Sequence, residues 1–183
     1  MLFWFFMAGC TVAAESGDMP PMPYHDWGAC PFECCTYREW VAKEPVTAFR
    51  HRNERGEVAF RLKKNEQVIA LTGVVITQKT GVTKILKPMK TGYVPGKKDP
   101  QLHLMPGELV YPLHYAGEGN DVFWYKGRIY VGEVAIQYVE KEDAITRVLS
   151  RPVYVWWVKV KNWAGKTGWT RQTDQFDNKD ACG

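Results

Sequence analysis

Five cysteines, four histidines and two serines bound the covalent chemistry open to this 183-residue chain. Cys10 stands apart behind an apolar run, which leaves Cys30, Cys34, Cys35 and Cys182 as an even set of four, with three pairings among them. Cys34 and Cys35 are neighbours, and disulfide geometry is hard to meet across one trans peptide, so each is expected to bond elsewhere. Pairing Cys30 with Cys35 and Cys34 with Cys182 is preferred to the alternative of Cys30 with Cys34 and Cys35 with Cys182. Either scheme ties the last residues to the start of the folded body. The rival is a zinc site of His25, Cys30, Cys34 and Cys35, but the paired C-x-x-C spacing of structural zinc is missing, so no metal is expected.

Enzyme chemistry finds little footing. Ser16 and Ser150 are the two serines, and a thiol dyad with His25, His51, His103 or His114 would draw on cysteines already assigned to disulfides. Gly165-Lys166-Thr167 suggests a phosphate loop, yet the pattern needs Gly five positions before Gly165, where Val160 stands. Glu108, Glu118 and Asp121 offer the carboxylates of a hydrolytic pair, for which a separation of about 5 to 9 Å is required. No catalytic residue and no cofactor is assigned, and the expectation is a protein that binds rather than catalyses. Composition agrees with a packed body: 45% apolar and 24% charged, with an aromatic share of 14% that includes eight Trp and nine Tyr. The net charge of +4 is spread along the chain, which suits mild attraction to anionic polymers and falls short of a nucleic-acid footprint.

The elements that must position these groups read as strands. β-Branched and aromatic runs punctuated by Gly and Pro predict strands over residues 38–42, 46–51, 58–62, 67–78 and 82–86, and a second set over 108–115, 122–125, 129–135, 153–161 and 167–171. Val58, Phe60 and Leu62 alternate with Ala59 and Arg61, a half-buried pattern. Residues 139–149, with four charged positions at their start, form the one credible helix or else a loop insertion. Residues 11–26 are small, polar and proline-rich and read as an extended spacer. The fold class is therefore all-β, with five or so short strands in each set suggesting small barrels.

The apolar run Leu2 to Met7 followed by Ala8-Gly9-Cys10 resembles the start of a bacterial lipoprotein precursor. That resemblance implies a signal peptide over residues 1–9, lipidation (palmitate-type acyl chains) at Cys10, a linker over 10–29, and a periplasm-facing protein of the cell envelope anchored to a membrane. Thr11 rather than Asp after the cysteine implies the outer membrane in a Gram-negative host. The rival is a buried strand ending in an ordinary cysteine. The run is too short to span a bilayer, which needs about 20 apolar residues.

Tyr154-Val155-Trp156-Trp157-Val158-Lys159-Val160, followed by Gly165-Lys166-Thr167-Gly168-Trp169-Thr170, resembles the end of a bacterial SH3-like domain, and Gly107-Glu108-Leu109-Val110-Tyr111 resembles an earlier strand of one. The likeness covers residues 106–177, with a fainter copy over 37–88. It implies tandem SH3-like barrels over 30–98 and 99–183 that bind a cell-wall peptide or glycan or an envelope protein. The alternatives are a structural or accessory subunit of an envelope complex, and an envelope hydrolase with an unrecognised site. Period two sets Val158, Val160, Trp156 and Tyr154 on one face of their strand and Trp157 and Lys159 on the other. Trp157 is thus expected to be partly exposed beside Lys159, with Trp124, Tyr125 and Glu118 as further ligand contacts and Trp169 as a structural residue.

Overall fold

The computed structural model describes residues 19–97, 102–135 and 144–182. Cys10 and the apolar run before it lie outside the described residues.

Among the described residues the chain is all-β apart from one 3-10 turn, Thr173–Gln175. The strands are β1 (Tyr24–Trp27), β2 (Glu39–Ala42), β3 (Val46–Phe49), β4 (Val58–Leu62), β5 (Gln67–Lys79), β6 (Val82–Ile85), β7 (Met89–Thr91) and β8 (Leu102–Leu104). They continue with β9 (Leu109–Gly117), β10 (Asn120–Tyr125), β11 (Arg128–Gly132), β12 (Thr146–Ser150), β13 (Val153–Lys161), β14 (Thr167–Thr170) and β15 (Phe176–Asp177). The larger sheet runs β15-β2-β5-β13-β14-β3-β4, with β1 also on β5, and the smaller runs β11-β10-β9-β6-β12, while β7 and β8 form a pair of their own.

This order nests one unit inside the other. β5 and β13 pair antiparallel along nearly their whole length, so the strands of the smaller sheet, residues 82–150, are an insertion between two partners of the larger one. The larger core accordingly draws on both sides of residue 98: Trp40, Val46, Phe60, Leu62 and Val68 pack with Val158, Val160 and Phe176. The smaller core, Ile85, Leu104, Val110, Phe123, Tyr130 and Val134, comes from the insertion alone. The two stretches that carried the SH3-like resemblance, 107–111 and 154–170, begin β9 in one sheet and form β13–β14 in the other.

Five elements differ from the sequence reading, three of them the short strands β7, β8 and β15, for which no strand is expected. Residues 146–150 are strand β12, paired with β6, where a helix over 139–149 is expected; Thr146 and Val148 are β-branched, and the edge of β6 offers them a ladder. The charged residues that suggested the helix, 140–143, lie outside the described residues. Tyr24–Trp27, expected in the spacer, is strand β1 on the edge of β5.

β5 carries the larger sheet and changes phase within it. Lys159 faces Thr72 while Val160 faces Ala70, so Leu71 is an extra residue, a bulge that passes the inward face from Val68 and Ala70 to Gly73, Val75 and Thr77. Gly73 is required by packing: a Cβ there would stand 2.1 Å from the Tyr37 hydroxyl oxygen and 2.6 Å from Trp156 Nε1. That hydroxyl donates to the Ala29 carbonyl and accepts from Trp156 Nε1 at 3.3 Å. Burial pushes the Tyr37 phenol up to about 12.

The disulfides are Cys30 with Cys35 and Cys34 with Cys182, the preferred pairing. The second is one part of a clasp. Thr36 N donates to Lys179 O at 2.8 Å, Ala181 N to Cys34 O at 2.8 Å and Asn178 Nδ2 to Glu39 O at 2.6 Å, while Arg38 donates to the carbonyls of Asn178 and Asp180. No described helix is long and apolar enough to cross a membrane.

Candidate functional site

The face of the larger sheet opposite its core carries two accessible aromatic residues, Trp27 and Trp169; Trp163, 68% exposed, stands in the turn after β13. Register places Trp27 of β1 beside Val74 of β5 and Val74 beside Trp157 of β13; one step along the sheet, Lys159 of β13 stands beside Trp169 of β14, and Trp169 beside Phe49 of β3. Trp27 occupies an edge strand and is 59% exposed, whereas Trp157 lies on a central strand and is 6% exposed. The expected partly exposed Trp157 is therefore corrected: on this central strand its indole is buried, and Trp27 and Trp169 present their rings instead.

Arg52, in the turn between β3 and β4, is the cation of this face. Its guanidinium carbon sits 4.5 Å from the Trp27 ring centre and 5.5 Å from that of Trp169, and the two indoles meet edge to face at 6.4 Å. Each such cation–π contact contributes about 0.5 to 1 kcal/mol at an exposed site, enough to hold a long side chain in one orientation. Arg52 Nη1 is shielded from solvent yet has no hydrogen-bond partner. His25 stacks on Trp27 at 6.4 Å, and His51 and Ile76 complete a depression of about 360 Å³ around the two indoles. A second depression, about 370 Å³, continues on the other side of Trp169, where Lys159, Lys166 and Arg50 line it. Arg50 is paired with Glu57 at 2.9 Å, and Arg171 with Glu54. Arg52, Lys159 and Lys166 have no ion-pair partner among the described residues, so they are the cations left to meet an incoming anion. Flat indole faces beside donors of this kind can stack on a sugar ring or planar group while a guanidinium takes a carboxylate.

A deeper cleft, about 750 Å³, opens between the two units. Its walls carry Glu33, Glu118, Asp121 and Glu133 against one guanidinium, Arg151, with Tyr115 and Tyr154 among its sides. Near the cleft, polar bonds tie the two units together. His114 of β9 is 1% exposed, and its Nε2 lies 2.8 Å from Asp26 Oδ2 of β1 while Nδ1 lies 2.8 Å from Tyr115 O. Thr77 Oγ1 donates to Leu113 O at 2.9 Å, and the Tyr154 ring meets His114 edge to face at 6.0 Å. Asp121 is almost enclosed, and burial raises its carboxyl to about 6 against the pull of His114, the Ala135 amide and Arg151.

Glu118 is on the rim of this cleft because it opens the β9–β10 hairpin: Glu118 (φ 51°) and Gly119 (φ 77°) are the two central residues of a primed turn. The other expected contacts are not gathered there. Tyr125 is buried, and its hydroxyl donates to Glu108 Oε1 at 2.6 Å. Glu108 also accepts from Lys126 Nζ at 2.9 Å and the Met105 amide at 2.8 Å, and these bonds hold its carboxyl down at about 2. Glu108 thus secures the turn into β9. Trp124 is half-buried in the smaller sheet between Tyr111 and Ile129, whereas Lys159 belongs to the larger. Of the expected ligand set, Lys159 alone lines the aromatic face and Glu118 alone lines the cleft.

The residues missed from sequence are Trp27, Arg52 and Trp169 as a binding surface. Tyr24-His25-Asp26-Trp27 shows no alternation of apolar and polar types, so only its aromatic content hinted at a strand; in the fold Asp26 is bonded to His114. No protein-family model, curated protein or solved structure matches the chain.

Proposed function

We propose that this chain is a non-enzymatic, lipid-anchored protein of the bacterial cell envelope that binds the glycan and peptide of the cell wall through small SH3-like β modules. The observation that carries this reading is the aromatic and cationic face around Trp27, Arg52 and Trp169. Sugar rings have apolar faces that stack on indoles, and cell-wall peptides carry carboxylates that suit Arg52, Lys159 and Lys166. Two disulfides are compatible with an exported protein, and two small antiparallel sheets with separate apolar cores support the module reading.

Retention on purified cell-wall sacculi tests the binding. Wild-type protein is expected in the pellet, and Trp169→Ala or Arg52→Gln is expected to weaken retention about tenfold without loss of fold, consistent with truncated aromatic and Arg anchors. Retention unchanged in both variants, or none in wild type, overturns the reading. Intact mass tests the anchor. Protein from its native membrane is expected to begin at an acylated Cys10 and to gain four hydrogens on reduction of its two disulfides. An unacylated Cys10 removes the lipoprotein reading and leaves the binding reading standing.

A further inference from the structure

We propose that the cleft between the two β units is a separate binding site for a small zwitterion that carries a second, side-chain ammonium: a dibasic amino acid or a dipeptide containing one. Four carboxylates, Glu33, Glu118, Asp121 and Glu133, line the cleft together with one guanidinium, Arg151, so acidic groups outnumber a single anion-binding group. Carboxylates alone would mark only a solvated surface. The second observation is Thr83, fully buried on β6, which also lines the cleft and whose Oγ1 has no hydrogen-bond partner. A buried hydroxyl left without a partner costs about as much as a lost hydrogen bond, and an ammonium supplies donors in three directions to meet such an acceptor. The volume of about 750 Å³ suits a ligand of amino-acid to dipeptide size. The side-chain ammonium would take acceptors from this lining, and the carboxylate would sit on Arg151.

The site is built to respond to pH. Asp121 is faced by His114 on β9, itself bonded to Asp26 on β1, by Arg151 ahead of β13, by Tyr154 on β13, and by the acidic groups of the rim: Glu118 in the β9–β10 turn, Glu133 after β11 and Glu33 in the cysteine segment. The Asp121 carboxyl, raised by burial, is protonated in mild acid and charged above about pH 6. An ammonium prefers the charged form, so affinity rises with pH through that range, and by linkage the bound ligand lowers the pKa of Asp121.

Calorimetric titration of the full chain with L-lysine, norleucine and cadaverine at pH 5.0 and 7.5 tests this. Norleucine has lysine's length without its side-chain amine, and cadaverine keeps both amines without the carboxylate. Lysine is expected to bind saturably, with norleucine and cadaverine each at least about tenfold weaker, and lysine to bind more tightly at pH 7.5 than at pH 5.0. Glu118→Gln, at an exposed turn position, and Thr83→Val are each expected to weaken lysine about fivefold, and Asp121→Asn to remove the pH dependence. Equal affinity for norleucine, no saturation by lysine, or unchanged lysine affinity in Glu118→Gln overturns the proposal. Glu118→Gln decides the matter even if Thr83→Val fails to fold. Because Trp169 and Arg52 take no part in the cleft, loss of sacculus binding on their substitution leaves this result unaffected.

Discussion

Asp121 and Glu108 are two carboxyls of one sheet pushed in opposite directions. Asp121, enclosed between the units, titrates at about 6 in place of 3.8; Glu108, held by a phenol, an amide and a lysine, titrates at about 2 in place of 4.5. For Asp121 the folded protein holds its proton more tightly than the unfolded chain. The stability this adds is complete below pH 3.8 and is lost as pH rises through about 6. Asp121→Asn should therefore flatten stability between pH 4 and 6.5 and leave the variant more stable than wild type at pH 7.5, by at most about 3 kcal/mol, in urea titrations at both ends. Glu108 acts with the other sign: its contribution is present above pH 4.5 and lost as pH falls through about 2. Glu108→Gln should shift the acid-unfolding midpoint upward, read by far-ultraviolet circular dichroism. Neither behaviour was legible in the sequence, where both residues are acids beside turns. What separates them is a neighbour distant along the chain: β9 and β13 close over Asp121, whereas Tyr125 reaches back to Glu108.

At the scale of elements, β5 is where small errors are most costly. Gly73 leaves space for a phenol and an indole, so Gly73→Ala should lower stability by about 2 to 3 kcal/mol through overpacking, seen as a fall in Tm, and Tyr37→Phe in the same background should recover part of it. Removing the methyl's clash without restoring stability would show that the bulge rather than the contact governs the strand. The strands with strict alternation were legible: Val58, Phe60 and Leu62 are patterned as β4 should be, and Val158 and Val160 face the core with Trp156 as period two requires. Trp157 was misjudged because alternation tells which face a residue takes and not how thickly that face is covered. β12 was missed because its ladder comes from β6, some sixty residues earlier, and local composition carries no trace of that partner.

At the scale of the molecule, nesting makes the larger unit depend on both ends of the described chain and the smaller on neither. Replacing residues 82–150 with a short turn should leave a protein that folds, since β5 and β13 already pair antiparallel and their core is complete without the insertion. Far-ultraviolet circular dichroism and intact disulfides would report success, and a disordered product would show that the Asp26–His114 and Thr77–Leu113 bonds are needed to set the sheet. The Cys34 to Cys182 bond encloses a separation of 148 residues, so Cys34→Ser with Cys182→Ser should cost up to roughly 5 kcal/mol by loop-closure entropy, measured by urea unfolding. The same topology orders events at the ribosome. By the time residue 150 has been added, every strand of the smaller sheet has been made, while the larger core still lacks Val158, Val160 and Phe176. β2 and β5 must therefore wait with their core incomplete until residues 158–176 are synthesised, and a chain stalled before that point would present part of those apolar faces to whatever holds nascent proteins.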